Sequence, residues 1–114
     1  TVLDPAAALT AQPLHVEVVA ARHLRDADAD SAGHDLSDPY CTCHIQGKLK
    51  TKVQTHWIED NLDPVWNFHH EFTHYMPGEA LVFNVFDRDK GKKDTLLGKA
   101  TLAAASFCPG GYDG

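Results

Sequence analysis

Apolar side chains in this sequence recur at every second position, and that period narrows the fold more than any other feature. Leu14, Val16, Val18 and Ala20 fall on one side of an extended segment, His15 and Glu17 fall on the other, and the run ends at Arg22-His23. Such alternation marks a strand with one buried face. The same reading gives strands over Tyr40 to Gln46, Lys50 to His56 and Val65 to Tyr75. Two more follow, around Leu81, Phe83 and Val85 and from about Leu97 to Ala103. Gly47-Lys48 and Met76-Pro77-Gly78-Glu79 read as turns. No segment carries a helical stripe, although Ala103 to Phe107 has room for one turn. Six strands at regular spacing in 114 residues predict a single all-β, antiparallel sandwich.

Strand parity then locates the unusual chemistry. If successive strands alternate in direction, as short antiparallel connections require, the segments leaving the first, third and fifth strands meet at one pole. These are Asp26 to Ser37, Trp57 to Pro64 and Asp87 to Thr95. Five aspartates lie between Asp26 and Asp38 and three more between Asp87 and Asp94, with Asp60 and Asp63 nearby. The opposite pole receives the two plain turns.

Carboxylates in contact repel by about 1 kcal/mol in water and about 4 kcal/mol where the effective dielectric is near 20. Convergence therefore favours a cation over the alternative of a solvated acidic loop. Calcium suits these donors, since it takes carboxylate and carbonyl oxygens from irregular loops. An EF-hand does not account for them. Asp26-Ala-Asp28-Ala-Asp30 opens like one, but Ser31 stands at the sixth position, Gly33 arrives two residues late, and Ser37 stands where a bidentate Glu is needed.

The totals exclude other classes. Sixteen acidic residues against ten Lys and Arg give a formal charge of -6, which argues against nucleic acid as a partner. No stretch is long and apolar enough to span a bilayer, and Thr1 to Gln12 lacks the features of a signal peptide, so the segment reads as soluble. Three cysteines, two of them too close along one strand to bridge, favour a reducing, cytoplasmic setting. No nucleophile, base and acid spacing and no phosphate-binding glycine loop is present, so no enzymatic activity is expected.

An ordered set of motifs resembles the C2 domain family: Leu14 to Leu24, Ser37-Asp38-Pro39-Tyr40, Thr51-Lys52-Val53, Asp63-Pro64-Val65-Trp66-Asn67, Leu81 to Asp89, and Leu97-Gly98. The resemblance covers Leu14 to Leu102. It implies a Greek-key β-sandwich of about eight strands over residues 13–114, with residues 1–12 as an extension or an edge strand. Beyond Leu102 no further apolar strand follows, so a terminal strand is expected to be missing from this segment or supplied by a neighbouring chain. The resemblance also implies two or three calcium ions at one pole and docking onto anionic phospholipid. The chain is thus expected to be a membrane-targeting module of a larger protein, cytoplasmic and peripheral at membranes, with protein partners acting through its other domains.

Carried over residue by residue, the implied calcium ligands are Asp38, Asp87 and Asp89, with Asp28 for the first loop and Asp26, Asp30 and Asp35 as alternatives. The fifth position falls on Thr95, whose neighbour Asp94 is the acidic candidate ligand there; this departure points to two ions. The middle loop has extra residues from His56 to Asn61, and Phe68 stands where the family pattern has an acid. Leu36, Lys90, Lys92 and Lys93 are the expected lipid contacts. Lys48, Lys50 and Lys52 form either a basic patch of the kind that binds phosphoinositide or protein, or an ordinary solvated face.

Two other classes remain open. One is a calcium-independent interaction module of the same fold, to which the missing fifth aspartate points. The other is a transition-metal or thiol site among Cys41, Cys43, His44, His69, His70 and His74. Alternation weighs against the latter, because it sends His44 to the face opposite both cysteines.

Overall fold

Alternation in the sequence becomes burial in the structure. The computed structural model describes residues 11–25, 37–89 and 93–104. The candidate residues Asp26, Asp28, Asp30, Asp35, Leu36, Lys90 and Lys92 lie outside the described residues, as do most of the N-terminal extension and of the turn expected over Ala103 to Phe107. Six strands are described: β1 (Gln12–Ala20), β2 (Pro39–Ile45), β3 (Lys48–Gln54), β4 (Val65–Tyr75), β5 (Leu81–Asp87) and β6 (Thr95–Leu102). They form a two-stranded sheet, β1-β4, and a four-stranded sheet in the order β3-β2-β5-β6. Each pairing of these strands is antiparallel.

The two sheets face each other through the side chains the period predicts. Cys43, Ile45, Phe72, Tyr75 and Leu81 make one buried cluster, and Val18, Cys41 and Trp66 make a second. Full burial of side chains such as Ile45, Phe72 or Leu81 stabilises the fold by about 1.5–3 kcal/mol each. Trp66 also ties the layers by donating its indole N–H to the Pro39 carbonyl at 3.3 Å. Phe68, at the position where the family pattern carries an acid, packs against the Val18 cluster. Its apolar character is explained by the core.

Two local features shift the expected boundaries. The tight turn is Gln46-Gly47, one residue earlier than expected, because Gly47 takes φ 81°, a conformation that glycine adopts without steric cost. β3 therefore starts at Lys48. Thr51 then interrupts the β2–β3 ladder: its hydroxyl accepts from the Ile45 N–H at 2.9 Å and donates to the Lys48 carbonyl at 2.6 Å. On β4, Asn67 at φ 48° accompanies an extra residue opposite the Val18–Ala20 step of β1, a β-bulge.

β3 and β5 both run against β2, so they end at one pole. The segment leaving β1 ends there too: Ala21 N–H donates to the Pro64 carbonyl at 3.1 Å and Leu24 N–H to the Leu62 carbonyl at 3.0 Å.

Candidate functional site

β5 ends by turning its own period on a carboxylate. Leu81, Phe83, Val85 and Asp87 share one strand face, so the alternation that points apolar side chains inward also carries Asp87 under the end of the sandwich. Asp87 is 0% exposed. Its Oδ1 accepts the Asp38 N–H at 2.9 Å, while Oδ2 is buried with no hydrogen-bond partner among the described residues. A buried polar atom left in this way costs about 1–3 kcal/mol, and more on a charged group.

The neighbouring acids are held by donors from three connections. Asp38 precedes β2, and its Oδ1 accepts the backbone N–H of Asp60 at 2.9 Å. Its carbonyl accepts the Arg88 N–H at 3.1 Å. Asp89 is 9% exposed, and its Oδ2 accepts the Thr95 hydroxyl at 2.8 Å. In the sequence Asp87-Arg88-Asp89 the intervening arginine points elsewhere, its guanidinium carbon 3.9 Å from the centre of the Trp57 ring. The positive charge nearest in sequence to the two aspartates is thus stacked on an aromatic face.

Asp94 has both oxygens engaged. Oδ1 accepts the Asp89 N–H at 2.9 Å and Oδ2 accepts the Tyr40 hydroxyl. The Tyr40 hydrogen bond, then the Asp89 amide, hold the Asp94 carboxyl below its ordinary value, against the opposing effect of burial; Arg88 adds to the lowering. The Tyr40 phenol is pushed up to about 12, by burial first and then by the bond to Asp94 and its charge. Asp94 therefore holds Asp89 in place through its amide.

The middle loop does more than connect. Ile58 N–H donates to the Pro39 carbonyl at 3.1 Å and Asn61 N–H to the Ser37 carbonyl at 3.0 Å, which fixes the approach to β2. Asp63 Oδ1 accepts the His23 N–H at 2.9 Å. The base of the first loop is held further by Arg25, whose Nη2 donates to the Leu96 carbonyl at 2.9 Å, and by the Ser37 hydroxyl on the Arg25 carbonyl at 3.1 Å. Three of these participants were not foreseen from the sequence as parts of the site: the Asp60 amide, the Tyr40 hydroxyl and the Trp57–Arg88 pair. The turn-forming run Glu59-Asp60-Asn61 is the one available signal for the first, since Asp60 takes φ 48°. Nothing in the sequence announces the other two.

The structure thus brings Asp38, Asp87, Asp89 and Asp94 to one pole, with Lys93 exposed in the loop before Asp94. Among the described residues no three His, Cys, Asp or Glu side chains are grouped to hold a metal ion. The orphaned Asp87 Oδ2 is the observation that fits a cation. The basic residues divide. Lys48 pairs with Glu79 at 2.7 Å toward the opposite pole, and Lys50 and Lys52 stay exposed. Cys41 and Cys43 belong to the core, and burial pushes both thiols up to about 12, with Cys41 adding to the effect on Cys43.

Comparison with known proteins agrees with this architecture. The family profile described as C2 domain matches residues 12–112. The protein C2-DOMAIN ABA-RELATED 11 of Arabidopsis thaliana is 36% identical over 91 residues, covering 79% of this chain and 49% of its own length. A single C2 domain of plant extended synaptotagmin 1 superposes with a TM-score of 0.73 at 27% identity, over 84% of this chain and 71% of that one. The calcium-bound pair of C2 domains of extended synaptotagmin 2 gives 0.70 at 27% identity, over 85% of this chain and 36% of that one. The chain spans between 8% and 49% of the length of such curated relatives. With six strands in two facing antiparallel sheets and a family match across nearly its whole length, the chain belongs to the C2 domain family.

Proposed function

We propose that this C2 domain is a calcium-dependent module that targets a larger protein to anionic phospholipid. C2 domains are non-catalytic modules of calcium and lipid binding, and relatives that are enzymes owe their activity to other domains. The observation that carries the reading is Asp87, a fully buried carboxylate with one oxygen unpartnered among the described residues, at the pole where Asp38 and Asp89 also lie. Among the described residues no helix is long and apolar enough to cross a membrane, which agrees with peripheral attachment.

Asp87 would offer Oδ2. Asp38 and Asp89 would each offer the oxygen left free by Asp60 and Thr95, and Asp28 would come from the first loop. Bound calcium would supply positive charge and coordination positions that lipid phosphate can complete. Thr95 puts a neutral hydroxyl at the fifth position, so two ions are the expected number. Asp94 positions Asp89, while Lys93, with Lys90, Lys92 and Leu36, meets the headgroups. Each lysine near an anionic surface contributes about 1 kcal/mol. The contact is shallow and salt-sensitive, and stable attachment draws on further domains.

The test is sedimentation with phosphatidylserine-containing liposomes, in calcium and in chelator, for the wild type and Asp87→Asn. Calcium is expected to drive the wild type onto the liposomes, and the substitution to abolish that response. Equal binding of the wild type in calcium and chelator would instead make the domain a calcium-independent interaction module.

A further inference from the structure

The outer face of the two-stranded sheet carries a feature unrelated to the acidic pole. β1 and β4 pair so that His15 faces Glu71 and Glu17 faces His69. The four side chains form a square whose corners alternate between imidazole and carboxylate. All four are exposed, on the face opposite Leu14, Val16 and Val18. One diagonal is closed by a hydrogen bond between the imidazoles: His15 Nε2 lies 3.4 Å from His69 Nδ1, with the ring centroids 5.5 Å apart, and an ion bound by both nitrogens would take the place of the proton between them. The other nitrogen of His69, Nε2, lies 3.7 Å from Glu17 Oε1.

We propose that His15 and His69 form a site for a divalent transition-metal ion of the zinc or copper type. Two imidazole nitrogens bound at about 2.0–2.1 Å to a tetrahedral ion stand about 3.3–3.4 Å apart, which is the separation found here. The remaining geometry is that of a histidine ligand with an outer carboxylate. When Nδ1 of His69 faces the ion, Nε2 carries the proton, and Glu17 stands within a small side-chain rotation of accepting it. Such partners fix the tautomer and strengthen the ligand. Glu71, opposite His15, is a further oxygen donor on the same face.

The protein supplies two nitrogens, and water completes the coordination, so copper(II) binds more tightly than zinc(II) by the general order of divalent affinities. Imidazole nitrogen separates this site from the acidic pole, where the donors are oxygens and calcium is the fitting ion. Cys41 and Cys43 take no part, since both are buried in the core.

The experiment uses the whole chain with copper(II) or zinc(II) as the probe, in the presence of saturating calcium. Calorimetry measures affinity, and electron paramagnetic resonance of the copper form reads coordinated nitrogen. One ion per chain with two imidazole nitrogens is expected. His15→Gln and His69→Gln should each weaken binding at least ~10-fold, and Glu17→Gln by roughly 10-fold. These residues are exposed, so the metal-free unfolding midpoint should not move, and this serves as the control for folding. The proposal is overturned by any of three results: unchanged copper affinity in His69→Gln, a spectrum with oxygen donors alone, or displacement of copper by calcium together with its loss in Asp87→Asn. The last result would put the ion at the acidic pole while leaving the calcium reading intact.

Discussion

The two poles of the sandwich solve the same problem in opposite ways. At the turn pole Glu79 is fully used. Its Oε1 accepts the Met76 N–H at 2.7 Å, its Oε2 meets Lys48 Nζ at 2.7 Å, and its carbonyl accepts the Tyr75 hydroxyl at 2.7 Å. At the loop pole Asp87 is more deeply buried, has one oxygen with no partner among the described residues, and has its neighbouring arginine turned onto Trp57. At one pole the acid is paired with a lysine, and at the other the arginine next in sequence to the most buried acid is stacked on an aromatic ring. A fold that can satisfy Glu79 so completely is not short of means, and the unpartnered oxygen of Asp87 is the feature on which the proposed calcium site rests.

The strongest way to break this contrast is Asp87→Asn, followed by thermal unfolding with calcium and with chelator. In chelator the variant should stay within about 1 kcal/mol of the wild type, since it exchanges an unpartnered charge for a neutral amide. In calcium at one hundred times its Kd, the wild type should gain about 2.7 kcal/mol and the variant almost none. A large loss in chelator, with the calcium gain preserved, would make Asp87 structural.

Thr95→Asp sharpens the same comparison from the other side. It restores an acid at the fifth position, removes the hydroxyl that Asp89 Oδ2 accepts, and should lower stability in chelator by about 1–3 kcal/mol. Calcium affinity should rise about ten-fold, because the loops gain one more oxygen ligand and one more negative charge. Titration calorimetry reads both the affinity and any added ion. Unchanged calcium binding would mean that this position does not face the ions.

Much of the loop pole was legible because parity and period are one-dimensional properties. The alternation of β5 is enough to send Asp87 and Asp89 one way and Arg88 the other. The convergence of three connections follows from strand direction alone. What the sequence withheld depends on backbone conformations and on contacts across long separations. Asp60, at positive φ, reaches Asp38 through its amide, and Tyr40 meets Asp94 across 54 positions. The extra middle-loop residues carry no motif, yet Ile58, Asp60 and Asn61 hold the Ser37–Pro39 segment. The diagonal contact of His15 with His69 comes from the geometry of a twisted antiparallel pair, and period two by itself places residues on a face without choosing a diagonal.

Glu79→Gln is the reciprocal substitution at the turn pole, with a smaller effect. The Lys48 side chain is 42% exposed, and Gln keeps the oxygen that accepts the Met76 N–H, so losing this ion pair should cost about 1 kcal/mol. The loss should be the same in calcium and in chelator, and the calcium-induced gain should equal that of the wild type. A reduced calcium gain in Glu79→Gln would show that the poles communicate through the sheets, and the contrast between them would fail.

The smallest expected effect lies between the poles. His44, on the outer face of β2, has a buried Nδ1 without a hydrogen-bond partner among the described residues. Burial first, then the charges of Lys52 and Lys99, lower its pKa from the ordinary 6.5. Protons therefore bind the unfolded chain more readily than the folded one in the interval below that value. Stability should be unaffected by this group above about pH 6.5 and should fall as the pH drops through the unfolded pKa toward the folded one. Comparing unfolding midpoints of the wild type and His44→Gln from about pH 8 to about pH 5 isolates this contribution, since the other histidines are common to both. The wild type should lose more on acidification, and Lys99→Gln should fall between the two. Parallel curves for the wild type and His44→Gln would mean that this imidazole is as well solvated when folded as when unfolded, and that the middle of the four-stranded sheet stores no buried polar cost of its own.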